Sequence, residues 1–219
     1  MDVKLEKWHK CKVDIEVLKE LSKKSDLKGL QHISVFFGLL IITGLLAYIT
    51  WGTWWSVFWF LVYGNIYSFS NPLWHETGHK TAFKSKFLNE FFYYLSSFMA
   101  NFEPTRWRYS HFVHHGNTYS IENPFDHEIE YGNDLKETPK RLIINIIPFL
   151  DLVFIKKHIS FEIFQHALGI KTKVMEDCIP ENAQAKAIFI SRIYVAIWSL
   201  IVLWSILISS WMPMLYFLL

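Results

Sequence analysis

The sequence predicts an all-α integral membrane protein that carries a histidine-rich metal site on its cytoplasmic side. Hydrophobic residues make up 52% of the 219 residues and charged residues only 19%, so the chain is more apolar than a typical soluble domain. The run from Ile33 to Trp74 contains no Asp, Glu, Lys, Arg or His. Two short histidine clusters follow this run, and such clusters are not expected in an ordinary membrane anchor.

The apolar run is long enough for two membrane crossings, because about 20 helical residues span the hydrocarbon layer. Gly52 predicts a turn at its midpoint, and the neighbouring Trp54 and Trp55 are typical of residues at the membrane surface. We therefore predict a tight helical hairpin over residues 32–70, with its helices at 32–50 and 53–70.

Lysines flank the predicted hairpin on both sides. Eight precede it, in the basic segment 1–31, and Lys80, Lys84 and Lys86 follow it. Because loops rich in Lys and Arg stay in the cytoplasm, both hairpin ends and the histidine clusters are expected on the cytoplasmic face, either of the bacterial inner membrane or of the endoplasmic reticulum. The long charged leader argues against a cleavable signal peptide. A net charge of +2 gives no indication of nucleic acid binding.

Residues 71–186 are predicted to form a cytoplasmic and interfacial region. The aromatic stretch 87–102 is too short to cross the membrane and has cations on both sides, which favours a helix lying in the interface. The apolar stretch 142–155 is interrupted by a proline and an aspartate, so it is predicted to be interfacial as well. Both histidine clusters then remain on one side of the membrane.

The last part of the chain, residues 187–219, predicts a third span and the start of a fourth. The apolar run from Ala187 to Ser209 is long enough to cross. The residues after it re-enter the membrane and stop after about half a crossing, which would leave a carboxylate in hydrocarbon at considerable cost. We therefore expect a single membrane domain over 1–219 that is the first part of a longer protein.

The two histidine clusters point to a metal. The first is His75-Glu76-Thr77-Gly78-His79, and the second is His111-Phe112-Val113-His114-His115. Helical residues three and four apart share a face, so five imidazoles can converge, those of His75, His79, His111, His114 and His115. Imidazole suits Fe, Zn, Cu and Ni alike, and ligand type alone does not select the metal.

A zinc metalloprotease is one alternative. His75-Glu76-x-x-His79 matches the motif in which two histidines bind zinc and the glutamate acts as base. However, Ala82 and Ser85 stand where the extended motif would have Gly and His. This interpretation also leaves the second histidine cluster without a role.

Several charged residues and histidines outside the clusters have simpler interpretations. Arg106 and Arg108 are predicted to anchor the protein at the membrane surface, and contact with lipid phosphate or with an acidic electron carrier is the alternative. His127 could be a further metal ligand or a proton relay, although a solvated loop position is the simpler prediction. His166 is predicted to be a surface or interfacial residue.

An H-x-x-x-H motif after a membrane hairpin, followed about 30 residues later by H-x-x-H-H, resembles the first two histidine boxes of the membrane fatty acid desaturase superfamily. Three further stretches are similar to bacterial-type desaturases: Trp74-HETGH-KTAFKSKFLNE, the run from Glu103 to His111, and the ending Trp211-Met-Pro-Met-Leu-Tyr-Phe. The resemblance covers essentially the whole chain from about residue 30.

This resemblance implies a membrane non-haem diiron oxidoreductase. Two iron ions would react with O2 and, with electrons from a ferredoxin or a b-type cytochrome, introduce a double bond into a fatty acyl chain. Carried over residue by residue, His75, His79, His111, His114 and His115 match the ligands of the first two boxes. The related hydroxylases of alkanes, sterols or carotenoids are an alternative, because they use the same metal and differ only in the outcome.

The sequence departs from the family in one respect. The family's third box, also H-x-x-H-H, does not occur in these residues. Because two irons need about four or five ligands each, we expect the chain alone to be inactive. A non-catalytic membrane fragment is the alternative from a different class.

Overall fold

The computed structural model describes residues 12–117, 127–128 and 159–217. Every regular element in these ranges is an α-helix, which confirms the predicted all-α class. The ten helices are, in chain order, α1 (Ile15–Leu21), α2 (Asp26–Ile49), α3 (Trp54–Tyr67), α4 (Ser70–Gly78), α5 (Lys86–Met99), α6 (Pro104–Asn117), α7 (Ile159–Ala167), α8 (Lys173–Cys178), α9 (Glu181–Leu207) and α10 (Met212–Phe217). The predicted interfacial stretch 142–155 lies outside the described residues.

Two of these helices are long and apolar enough to cross a membrane, namely α2 with 24 residues and α9 with 27. Both coincide with predicted spans, although each begins six residues earlier than the sequence pattern indicated. The early start of α2 follows from its N-cap, because the Ser25 side chain accepts a hydrogen bond from the Lys28 backbone N–H. Most of the large aliphatic side chains of α2 are exposed, as expected for a surface that faces lipid.

The second helix of the predicted hairpin is interrupted. Residues 53–70 were expected to form one helix, but α3 ends at Tyr67 and α4 begins at Ser70. Pro72 explains the break, because it has no N–H to donate to the carbonyl of Ser68, four residues earlier. With 14 residues, α3 is about 21 Å long. It is therefore shorter than the hydrocarbon layer, which is about 30 Å thick.

The hairpin itself is confirmed between α2 and α3. Gly52 has a φ of +83° at the turn, a value that glycine adopts without strain. Side chains from α2, α3 and α5 form the core between the helices: Ala47, Phe60, Tyr63, Tyr67 and Met99. Helix α10 closes this core, since the Tyr216 hydroxyl donates to the Gly44 carbonyl at 2.6 Å.

Gly29 lies where α2 crosses the chain that follows α4, and we expect the substitution Gly29→Ala to destabilise the protein. A Cβ atom at this position would lie 2.6 Å from both the Ala82 carbonyl oxygen and the Phe83 ring. The backbone there cannot move aside cheaply, so the free energy of unfolding should fall by about 1–3 kcal/mol.

Gly38 in the same helix provides the matched control. A Cβ there would meet nothing within 4 Å, so Gly38→Ala should be neutral or should stabilise the protein by up to about 1 kcal/mol. Thermal unfolding in detergent micelles, followed by circular dichroism, measures both changes. Equal effects of the two substitutions would show that the close approach at Gly29 is unimportant.

Candidate metal centre

The two histidine clusters lie on α4 and α6. His75 is in the last turn of α4 and His79 is its C-cap residue, while His111, His114 and His115 all lie on α6. Helix α5 connects α4 and α6 through Tyr93. The Tyr93 ring stacks on Trp74 of α4, and its hydroxyl donates to the Pro104 carbonyl at the start of α6, at 2.6 Å.

The start of α6 is fixed by a buried carboxylate. Glu103 is 1% exposed, and its side chain accepts the backbone N–H groups of Thr105 at 3.0 Å and Arg106 at 2.6 Å. Desolvation raises the pKa of Glu103 to about 7, although these N–H groups act in the opposite direction. A capping carboxylate of this kind satisfies donors that would otherwise lack partners in the first turn.

Four histidines converge between α4 and α6. The ligand-capable nitrogens of His75, His79, His111 and His115 all lie within 4.8 Å of one another. Three Nε2 atoms form a nearly equilateral triangle: those of His79 and His111 are 3.0 Å apart, those of His79 and His115 3.1 Å, and those of His111 and His115 3.0 Å. The zinc-protease interpretation, which gave the second cluster no role, does not account for this convergence.

The size of this triangle fits a metal ion. An imidazole nitrogen lies about 2.0–2.1 Å from a first-row metal, so three such nitrogens at right angles about one ion are roughly 3.0 Å apart, and at tetrahedral angles roughly 3.4 Å. The triangle of 3.0–3.1 Å is therefore small enough for its three nitrogens to bind one ion.

His114 lies beside this group. Its ring centroid is 5.9 Å from that of His111 and 5.8 Å from that of His115, and its nitrogens are not among those that converge within 4.8 Å. As for the other four histidines, the assignment of His114 as a metal ligand stays a prediction.

Glu76, the base of the protease motif, takes no part in the cluster. Its carboxylate accepts the Thr81 hydroxyl at 2.6 Å, and it lies 3.8 Å from His75 Nδ1, beyond hydrogen-bond distance.

The carboxylate of Glu128, which the sequence analysis did not identify, contacts the cluster through the Nδ1 atom of His111. Glu128 Oε2 lies 2.8 Å from His111 Nδ1, and Glu128 Oε1 accepts the Ser110 hydroxyl at 3.1 Å. The neighbouring His127 points elsewhere, with its Nε2 2.8 Å from Asp177 Oδ2 on α8. His127 is therefore neither a member of the converging group nor an unpaired loop residue.

The predictions for Arg106 and His166 are wrong, and the prediction that Arg108 lies at the membrane surface is not tested. Arg106 was expected at the membrane surface, but it is 5% exposed and its Nε lies 2.8 Å from Glu162 Oε2. Arg108 donates to both carboxylate oxygens of Glu90, at 3.0 and 3.1 Å. His166 was expected at the surface but is fully buried. The partners of Arg106 and Arg108 are 56 and 18 residues away in the sequence, whereas His166 Nε2 lies 2.8 Å from Thr172 Oγ1, six residues away.

Aromatic side chains cover one side of the histidines. Trp74 is 4% exposed and its ring centroid lies 5.3 Å from that of His111 and 5.6 Å from that of Trp107. A cavity of about 20 Å³ remains between the histidines and the rings of Trp74, Tyr93 and Phe112. A space of this size holds about one water-sized molecule, and the cluster is open elsewhere, because His79 and His115 are exposed.

We expect metal binding to weaken in acid but to be constant above neutrality. The pKa of His79 lies below its ordinary value of 6.5. The main cause is desolvation, and the neighbouring imidazoles of His75, His111 and His115 lower it further. Desolvation and nearby imidazoles also lower the pKa of His115. Since neutral imidazole is the ligand form, the lowered pKa of His79 and of His115 confines proton competition at these two residues mainly to acid solution. Titration with Co²⁺ at a series of pH values measures the affinity. A loss that already occurs between about pH 8 and pH 7 would contradict this expectation.

Comparison with known proteins gives one match. The family profile described as "Fatty acid desaturase" matches residues 49–219. This range includes α3 to α10 and all five histidines of the two clusters. No curated protein and no solved structure matches the chain.

Proposed function

The chain belongs to the fatty acid desaturase family, and from this premise we propose that it is an O2-dependent oxidoreductase that introduces a double bond into a fatty acyl chain. In this reaction two hydrogens leave adjacent carbons, O2 takes up these hydrogens together with two electrons and two protons, and two water molecules form. A ferredoxin or a b-type cytochrome supplies the electrons.

The observation that carries this proposal is the convergence of four histidines, three of whose Nε2 atoms lie 3.0–3.1 Å apart and can bind one ion together. We propose that His75, His79, His111 and His115, with His114 as a fifth ligand, hold iron. When bound, a pair of iron ions supplies the activation of O2 that removal of hydrogen from unactivated carbon requires.

The other residues of the site provide its surroundings. Trp74 and Trp107, both less than 10% exposed, keep water away from His111, which favours oxidation of a bound chain over side reactions. With α2 and α9 in the bilayer, an acyl chain reaches the histidines without leaving an apolar medium. The cytoplasmic orientation predicted from the lysines would place the site within reach of a soluble electron carrier.

Two irons require more ligands than these histidines provide. With about four or five ligands per iron, the five histidines of the two clusters supply roughly half of the set. We propose that these histidines alone do not complete a site for two irons and that the 219 residues by themselves are inactive.

The test compares the 219-residue chain with the whole reading frame that encodes it, each expressed in a host without acyl desaturases. Metal analysis and lipid profiling by mass spectrometry are the readouts. The whole reading frame should bind two irons per chain and produce a new unsaturated acyl chain, and the 219 residues alone should give no new lipid. His114→Ala in the whole reading frame should abolish the product.

Two outcomes would overturn the proposal. A new hydroxylated lipid without unsaturation would assign the chain to the hydroxylases. One zinc per chain with unchanged lipids would instead support the protease interpretation.

A further inference from the structure

We infer that Glu128 is a positioning residue for the metal centre: its carboxylate fixes the proton of His111 on Nδ1, so that the Nε2 lone pair faces the histidine cluster. The inference rests on the proposed function for the identity of the metal. It concerns a residue outside the two histidine clusters, brought to the site from another part of the chain.

The first step is the contact between Glu128 and His111. His111 Nδ1 and Glu128 Oε2 are 2.8 Å apart, and the two side chains are only 14% and 10% exposed. An ionised carboxylate can only accept hydrogen bonds, so Nδ1 carries a proton, and in the neutral ring Nε2 then offers its lone pair. Nε2 is the atom that lies 3.0 Å from the Nε2 atoms of both His79 and His115.

The second step is that the carboxylate is itself held in place. Ser110 donates its hydroxyl to Glu128 Oε1 at 3.1 Å and accepts Arg106 Nη1 at 3.0 Å. The Arg106 Nε in turn lies 2.8 Å from Glu162 Oε2 on α7. A buried chain of polar groups therefore leads from α7 to the back of His111, and each link is shielded from water, which strengthens it.

The third step concerns the segment that carries Glu128. The adjacent His127 has its Nε2 2.8 Å from Asp177 Oδ2, and these two side chains are 20% and 16% exposed. Residues 127 and 128 are thus held to α8 through one side chain and to α6 through the other. This double attachment restricts where the Glu128 carboxylate can lie.

A carboxylate that accepts the second ring N–H of a ligand histidine fixes its tautomer and makes it a stronger ligand. Loss of such a partner typically lowers metal affinity 10–100-fold. Glu76 provides the contrast within the same site, because its carboxylate is 3.8 Å from His75 Nδ1 and 59% exposed. Glu76→Ala is therefore the matched control for Glu128→Ala.

The first readout is the tautomer of His111 in the metal-free protein, measured from the ¹⁵N chemical shifts of its ring, with His111→Ala to assign the signals. The wild type should show the Nδ1–H form, and Glu128→Ala should show a mixture of both forms. Glu128→Gln keeps an oxygen acceptor and should retain the Nδ1–H form. Because no metal is present, this readout is independent of the proposed activity.

The second readout is the affinity for Fe²⁺ and for Co²⁺, measured by competition with a chelator. Glu128→Ala should lower it by about 10–100-fold, Glu128→Gln should lower it less, and Glu76→Ala should leave it within about twofold. The thermal unfolding midpoint of each variant is measured in parallel.

Two results would overturn the inference. One is an unchanged His111 tautomer with an unchanged affinity in Glu128→Ala. The other is a loss of affinity that accompanies a matching loss of thermal stability while the tautomer stays the same, which would indicate a merely structural role. If the wild type binds neither ion, the proposed function fails, and the tautomer measurement still decides the role of Glu128.

Discussion

The substitution His79→Ala is expected to abolish stable metal binding. His79 contributes the vertex of the Nε2 triangle that comes from α4, at 3.0 Å from His111 and 3.1 Å from His115. Without it, the two nitrogens from α6 lack the third donor of the triangle. The affinity should fall by more than about 100-fold, which exceeds the loss typical when a partner of a ligand is removed.

Metal content after purification, measured by mass spectrometry of the elements, is the readout for His79→Ala. His32→Ala is the matched control, since His32 is exposed on α2 and far from the clusters in sequence. This control should retain the wild-type metal content. Full metal content in His79→Ala would mean that the triangle is not the binding site.

The substitution Arg106→Ala is expected to destabilise the fold by about 3–5 kcal/mol, the usual cost of breaking a buried ion pair. The Arg106 side chain is 6% exposed and that of Glu162 is 20% exposed. Removal of the guanidinium leaves the Glu162 carboxylate without its partner. It also removes a contact in which the guanidinium lies 4.2 Å from the centre of the Trp107 ring.

Chemical or thermal unfolding in detergent micelles measures this change. The exposed pair between Lys19 and Glu16, with side chains 66% and 78% exposed, provides the control, and Lys19→Ala should cost less than about 0.5 kcal/mol. The double substitution of Arg106 and Glu162 by leucine should recover much of the stability, because no unpaired charge remains. If Arg106→Ala lowered the free energy of unfolding no more than Lys19→Ala does, the ion pair between Arg106 and Glu162 would contribute little to stability.

Much of this architecture could be predicted because it follows from local patterns. The hairpin follows from an uncharged run with a glycine at its midpoint, and the span in α9 from a second such run. The convergence of His75 with His79, and of His111 with His115, follows from their spacing on helices. In each case the residues that determine the structure are close together in the sequence.

The features that could not be predicted depend on partners that are distant in the sequence. Arg106 and Glu162 are 56 residues apart, and a cation beside an apolar helix is indistinguishable from a membrane anchor until its partner is known. Glu128 is one of several acids in a polar stretch without periodicity, so no pattern distinguishes it. The break between α3 and α4 did have a local signal, Pro72, whose missing N–H prevents a continuous helix.

The Nε2 triangle has a consequence for the stability of the whole protein. Each of its three nitrogens either carries a hydrogen or offers a lone pair, and in a ring of three at least one neighbouring pair must be alike and therefore repulsive. A cation bound by all three nitrogens would remove this conflict, because each nitrogen could then direct a lone pair towards it. An ion that binds the folded chain in this way would shift the folding equilibrium towards the native state, so the unfolding temperature should rise with the concentration of the metal.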